Sequence, residues 1–344
     1  MKFMKIRKYS HKFPLCPVGI ITTFFSIFCF FSTVAFGAQA EHVLLFVLEG
    51  VNNDSIEDNN LPILRKLVKE GATKIDAQSI SPPLAVPAMA TLLTGLPVKK
   101  HRVDREWEEY DFSRSFLRSP TLFDYLDLAG GIDTALFIMD ERFYQLSRPE
   151  IYVDMQTCGK AKPQCNPNTV VGHIEDYLNK VTSKGGYGFR LFTVPGLLAA
   201  HLPAPMDAAL KRGWDSRAYK EALSSIDTAI GDVLELYRSH KVLDKTMVIV
   251  TGLNGKGMGK NEQANGSSGA TNYKGASVPW IAWGANVKSG HQIQHPVSIM
   301  DTGATVMESL GLETYTEWQS QPLKEIFVSI PVRKTTLGNE NLDR

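Results

Sequence analysis

From Val43 onward the chain alternates short, unbroken apolar runs with longer stretches of helical periodicity, and few architectures accommodate that order. Val43-Leu-Leu-Phe-Val-Leu48 has no polar alternation, as expected of a strand covered on both faces. Further runs of this kind are Thr134–Met139, Arg190–Val194, Thr246–Thr251 and Val278–Trp283. Helical stretches separate them. One starts at Leu61, places Leu64, Leu67 and Val68 on one face, and stops at Gly71. The clearest spans Ser216 to His240, where Tyr219, Ala222, Ile226, Ile230, Val233 and Tyr237 recur behind an N-capping serine. Another covers about 298–310 and ends before Gly311. Strands alternating with helices imply an α/β fold with a mostly parallel sheet, in which functional groups gather beyond the carboxyl ends of the strands. The Gly-, Lys-, Asn- and Ser-rich stretch from Gly252 to Asn272 is expected to be a long loop after a strand.

With 344 residues and 43% hydrophobic content, the chain can enclose one large core, which we assign to residues 41–330. Residues 331–344 form a polar tail. Lys and Arg (37) balance Asp and Glu (36), so no basic excess exists to neutralise a nucleic-acid backbone. The first forty residues read as an export segment. Lys2, Lys5, Arg7, Lys8 and Lys12 precede an apolar run from Val18 to Phe36, and Ala38-Gln39-Ala40 has the small-x-small form of a cleavage signal. Its length suits a cleaved signal peptide or an uncleaved membrane anchor, and either places the domain outside the cytoplasmic membrane, periplasmic or secreted. Cys158 and Cys165 are the cysteines of the mature chain, and in an oxidising compartment their short loop favours a disulfide.

The segment VLLFVLEGVNNDSIEDNNLPILRKLVKEGA resembles the opening of the alkaline phosphatase superfamily, most closely its type I phosphodiesterase/nucleotide pyrophosphatase branch. SPPLAVPAMATLLTGLPVKKHRV is similar to the branch's nucleophile segment. GWDSRAYKEALSSIDTAIGDVL, MVIVTGLNGKGMGK, VPWIAWGANVKSG and DTGATVMESLGL follow in family order, so the likeness runs from Val43 to about Phe327. The resemblance implies a three-layer α/β/α sandwich. It also implies a pair of divalent metals about 4 Å apart, held by Asp and His, that activate a Thr or Ser for in-line displacement.

Carried over position by position, the resemblance gives a depleted site. The first metal-ligand position is Glu49, and the nucleophile position is Ala85, which has no oxygen to attack with. The Asn-His pair of the family becomes Ala88-Met89. The Asp-x-x-x-His pattern falls on Leu197 and His201, the Asp-His pair after the fourth strand on Leu253-Asn254, and the last His near Ser267 or Ser268. Glu49 and His201 thus remain as vestigial ligands, with losses at Leu197, Leu253, Asn254 and Ser268. Two ligands fall short of the three or four that zinc takes. His101 is expected to be structural, and His173, His291 and His295 have no defensible partner spacing. Trp107-Glu-Glu-Tyr110 lies where relatives approach substrate and suits a cleft lining or a packed loop equally.

The expected function is that of an exported pseudoenzyme binding an unidentified ligand or envelope protein, without nucleic acid. Membrane contact would come only through an uncleaved N-terminal segment. No cofactor is expected. The alternatives are an active phosphodiesterase or phosphatase, using zinc or another divalent metal on non-standard ligands, and a purely structural envelope component.

Overall fold

The computed structural model describes residues 39–57, 60–109, 111, 116–129, 131–146, 154–157, 166–183, 193–255 and 276–329. The export segment up to residue 38, Cys158 and Cys165, Ser267 and Ser268, and the tail 331–344 lie outside them. Among the described residues no helix is long and apolar enough to cross a membrane.

Among the described residues eight strands form one sheet: β1 (His42–Glu49), β2 (Ala72–Gln78), β3 (Thr134–Ile138), β4 (Asp154–Thr157), β5 (Leu197–Leu202), β6 (Thr246–Asn254), β7 (Ser277–Gly284) and the two-residue β8 (His291–Gln292). Their order is β4-β3-β5-β1-β6-β7-β2-β8. Strand β7 pairs antiparallel with both β6 and β2, and every other pairing is parallel. The sequence connects these strands with the helices α1 (Asn53–Ile56), α2 (Pro62–Glu70), α3 (Ala85–Thr94), α4 (Val98–His101), α5 (Leu122–Leu128), α6 (Pro167–Thr182), α7 (Ala204–Arg212), α8 (Arg217–Ser239) and α9 (Asp301–Ser309).

Alternation along the central strands divides the core into two layers. Val43, Leu45 and Val47 of β1 face one layer with α3, α5 and α9, whereas Leu44, Phe46 and Leu48 face the other with α2, α6 and α8. Both faces are therefore covered, which is why β1 needs no polar alternation and why the architecture is a three-layer α/β/α sandwich. Helix α8 meets its expected bounds, with Ser216 Oγ accepting from Tyr219 N at 3.1 Å. Its buried face also carries Asp227, whose carboxylate accepts from Ile63 N (3.1 Å) and Leu64 N (2.7 Å). Asp227 thus caps the start of α2, where Leu61 supplies no side-chain cap.

Two expectations about element bounds are corrected. Of the expected strand Arg190–Val194, residues 190–192 lie outside the described residues and Thr193 and Val194 lie outside any strand, while the central strand of this region is Leu197–Leu202. Its Leu-Leu-Ala-Ala composition carries no strand preference, but it pairs on both sides with β1 and β3, and tertiary pairing overrides propensity. Strand β6 continues through Gly252–Asn254 instead of breaking into a loop at Gly252. Gly252 packs tightly there, since a Cβ would lie 2.9 Å from Val278 Cβ.

Candidate functional site

The site sits at the carboxyl ends of β1, β5 and β3, on the α3 side of the sheet. Strand alternation sends Glu49 and His201 to the same face as Val47 and Ala199, and the register pairs Val47 with His201. His201 Nε2 lies 2.8 Å from Glu49 Oε1, with His201 fully buried and Glu49 nearly so. A register shift after Leu48 sets Glu49 opposite Asn254, whose Nδ2 donates to Glu49 Oε2 at 3.3 Å. Asn254 Oδ1 in turn accepts from Gly50 N at 2.9 Å. Gly50 has φ +76°, and a Cβ there would come within 2.6 Å of Met206 N, so only glycine lets the chain turn this close to α7. Tyr219 of α8 fixes the same turn by donating its hydroxyl to Gly50 O at 2.8 Å. The Glu49 carboxylate is thereby engaged at both oxygens, and the His201 ring packs edge-on against Phe143, with centroids 4.4 Å apart.

A second ionic group adjoins the first. Beyond β3, Asp140 and Arg142 pair within one turn, with Arg142 Nε donating to Asp140 Oδ2 at 2.7 Å. The other arm of the guanidinium reaches Glu108, 34 residues earlier, whose second oxygen accepts from Val86 N at 2.7 Å. A carboxylate therefore caps the N-terminus of α3, where the helix dipole favours negative charge. Burial raises the Glu108 carboxyl above its ordinary range, because the Arg142 charge and the Val86 N–H only partly offset it. Burial acts in the same sense on Asp140, but the hydrogen bonds and charge of Arg142 outweigh it and hold that carboxyl low. Asp207 of α7 is exposed at the rim, yet desolvation on its inner side and then the Glu49 charge push its pKa up.

Several sequence-derived residues meet here and others do not. Glu49, His201 and Asn254 are joined directly by hydrogen bonds. Ala85 is the first residue of α3, beside the Glu108 cap, and is buried with Ala88 and Met89. Leu253 packs in the apolar layer on the α3 face. Leu197 is different. It is the first residue of β5, paired with Val43, and lies four residues of extended chain, about 13 Å, from His201. Its place is the apolar layer at the other end of the strand, so it is not brought to the site.

Sequence reasoning missed Asp140, Arg142 and Asp207, although all three follow the carboxyl end of a parallel strand, and that rule was a signal for them. Glu108 lies in the Trp107–Tyr110 patch and turns out to line the site. His101 lies apart, buried beside α3. Val103 N donates to its Nδ1 at 3.0 Å and Thr91 Oγ1 lies 2.9 Å from its Nε2, so the ring is neutral with the proton on Nε2. Burial lowers its pKa to about 4.

Among the described residues the donor set does not fit a divalent metal pair. Both oxygens of Glu49 and Nε2 of His201 are spent on each other and on Asn254, and the carboxylates of Glu108 and Asp140 hold the Arg142 guanidinium. Among the described residues, no three His, Cys, Asp or Glu side chains converge as a set of ligands.

The inactive variant of murine ectonucleotide pyrophosphatase / phosphodiesterase 5 in complex with AMP superposes with a TM-score of 0.63 and 12% identity, covering 83% of this chain and all of that one. The human protein of the same name gives 0.62 at 13% identity, covering 84% of this chain and all of that one. The phosphonate monoester hydrolase of Silicibacter pomeroyi gives 0.54 at 15% identity, covering 83% and 76%. At these identities the likeness is one of fold. The sulfatase ppz1 of Metarhizium majus (strain ARSEF 297) is 26% identical over 125 residues, which are 36% of this chain and 28% of that protein's length. The sequence profile of the type I phosphodiesterase / nucleotide pyrophosphatase family matches residues 43–262, most of the sheet and both halves of the site, and the chain belongs to that family.

Proposed function

We propose that this chain is an exported, non-catalytic member of its family, which uses the cleft above the sheet, or its rim, to bind a ligand or an envelope partner. The observation that carries the proposal is the start of α3. The position where the family resemblance calls for a hydroxyl nucleophile is Ala85, and the neighbouring Val86 N–H is taken by the carboxylate of Glu108. A methyl group cannot attack, and a resident carboxylate repels an anionic ester from the helix N-terminus that would favour it. Glu49, His201 and Asn254 support the same reading, because both Glu49 oxygens and His201 Nε2 are engaged with one another and with Asn254. Export rests on the basic, apolar and Ala-x-Ala order of the N-terminus.

The test is turnover by the purified mature chain. Phosphomonoester, phosphodiester, nucleotide pyrophosphate, phosphonate and sulfate esters form the panel, each with zinc, manganese or magnesium added. We expect rates indistinguishable from background throughout. A metal-dependent rate abolished by Glu49→Ala or His201→Ala would instead establish an active enzyme on non-standard ligands. Crosslinking and co-purification from envelope extracts would then separate a partner-binding role from a structural one.

A further inference from the structure

As sequence, Trp283 is no more than the end of an apolar strand. In the fold its indole is half-buried between two adjoining cavities. One, of about 470 Å³, opens between α2 and α8, and the other, also of about 470 Å³, opens between the end of α8 and the end of β7. Trp283 and Arg238 line both. We propose that this double groove binds a neutral glycan chain, with the indole as platform for one sugar ring and Arg238 as a partner for its hydroxyls. The groove is separate from the site built on Glu49. Trp283 pairs with Val248 of β6, six residues of extended chain, about 20 Å, from Asn254. It also belongs to the layer on the α2 and α8 side of the sheet, whereas the candidate site opens on the α3 side. Binding here is therefore independent of whether the cleft turns over an ester.

The indole is held in one orientation. Its Nε1 donates to Glu70 Oε2 at 3.3 Å, and the ring packs against the apolar layer beneath. Lys66 Nζ stands 5.9 Å from the ring centroid, at the outer limit of a cation–π contact, on an exposed and flexible stem that a ligand can displace. A large, fixed, amphipathic ring with Arg beside it is the kind of anchor on which binding surfaces concentrate their energy. Each cavity has the volume of a small-ligand site, and two in series on either side of one platform suit a chain better than a compact molecule.

Charge selects the class of chain. Lys66, Arg238 and Lys241 line the groove against Asp232, Glu235 and Asp244, so the two signs balance along its length. Asp227, at the far end, is already spent on the amides that open α2. A polyanion or a polycation meets like charges throughout such a groove, whereas a hydroxyl-rich neutral chain meets donors and acceptors in turn. Asp232, Glu235 and Arg238 recur every three residues as an exposed stripe of α8, and Glu235 accepts from the Arg238 guanidinium, which orients both. A pyranose with equatorial hydroxyls has an apolar C–H face and a polar edge. The face matches the indole and the edge matches the stripe.

The experiment is calorimetric titration of residues 41–344 with chitohexaose and with cellohexaose. A hyaluronan hexasaccharide serves as the anionic control and hexalysine as the cationic one. At least one neutral hexamer should bind with a Kd below about 1 mM, and both controls roughly tenfold more weakly or not at all. Trp283→Ala should weaken that binding by roughly tenfold or more, and Arg238→Ala by about threefold or more. Trp283→Phe keeps a flat apolar ring and should lose less than about threefold. No binding of either neutral hexamer at about 5 mM, unchanged binding by Trp283→Ala, or tighter binding of a charged control would overturn the proposal. If Trp283→Ala does not fold, Arg238→Ala decides the matter, because its side chain is exposed: weaker binding supports the groove and unchanged binding refutes it.

Discussion

The same two strands end in opposite ways. At their amino ends β1 and β5 set Val43 beside Leu197 in an apolar layer, and toward their carboxyl ends the same face carries His201 against Glu49. Both ends are equally closed to water. They differ in what closure costs. The apolar end gains free energy with each side chain removed from water, about 1.5–3 kcal/mol for a Leu or Val. The polar end must satisfy every donor and acceptor or lose about 1–3 kcal/mol for each one left bare. That is why Glu49 is held by two neighbours while Leu197 needs only shape. The difference also explains why a carboxylate lost from the site cannot be sought at Leu197.

The sharpest way to break this contrast is to place a charge at the apolar end. Leu197→Asp should cost more than about 4 kcal/mol of unfolding free energy, or abolish folding, because the carboxylate has no partner there. Urea denaturation measures it. A folded Leu197→Asp protein with near-normal stability and new zinc affinity would show that the two ends are not as distinct as described.

Next in size is the polar end itself. Glu49→Ala or His201→Ala leaves the other partner buried and unpaired, and should cost about 3–5 kcal/mol. Glu49→Gln keeps an acceptor for His201 and should cost clearly less. Comparable losses for Gln and Ala at position 49 would mean that volume, not pairing, matters there.

A pH titration probes a third buried polar position, His101. Its folded pKa of about 4 lies below the ordinary 6.5, so the unfolded chain binds the extra proton first. The stability is complete above about pH 6.5 and falls as pH drops toward 4, by up to about 3 kcal/mol. The melting temperature of wild type should decline over that window, and His101→Gln should remove most of that decline. An unchanged slope in the variant would assign the window to other groups.

How much of this was legible in the sequence follows from the same contrast. Strand β1 and helix α8 could be read directly, because unbroken apolarity and a 3.6-residue period report burial locally. Strand β5 could not. By composition Leu-Leu-Ala-Ala does not look like a strand, and only pairing with β1 and β3 selects it. Glu49 and His201 were recoverable from the family's order of motifs, but their hydrogen bond spans 152 positions. The bridge from Arg142 to Glu108 spans 34, matches no motif and depends on where two short turns meet, so it emerges only from the fold.

The smallest expected effect falls at Ala85. Ala85→Thr should change stability by less than about 1 kcal/mol and restore no hydrolysis, since a hydroxyl without a metal pair or a base is a poor nucleophile and groups that act as a unit are not recovered singly. A metal-dependent hydrolase arising from Ala85→Thr alone would mean that the rest of the machinery is intact.

The central claim is that this site satisfies its own charges and has no place for catalytic metal. Equilibrium dialysis of wild-type residues 41–344 against zinc or manganese, followed by elemental analysis, tests it most directly. The account predicts metal well below one equivalent per chain, unchanged by Glu49→Ala. One or two equivalents, lost on Glu49→Ala or His201→Ala, would contradict it.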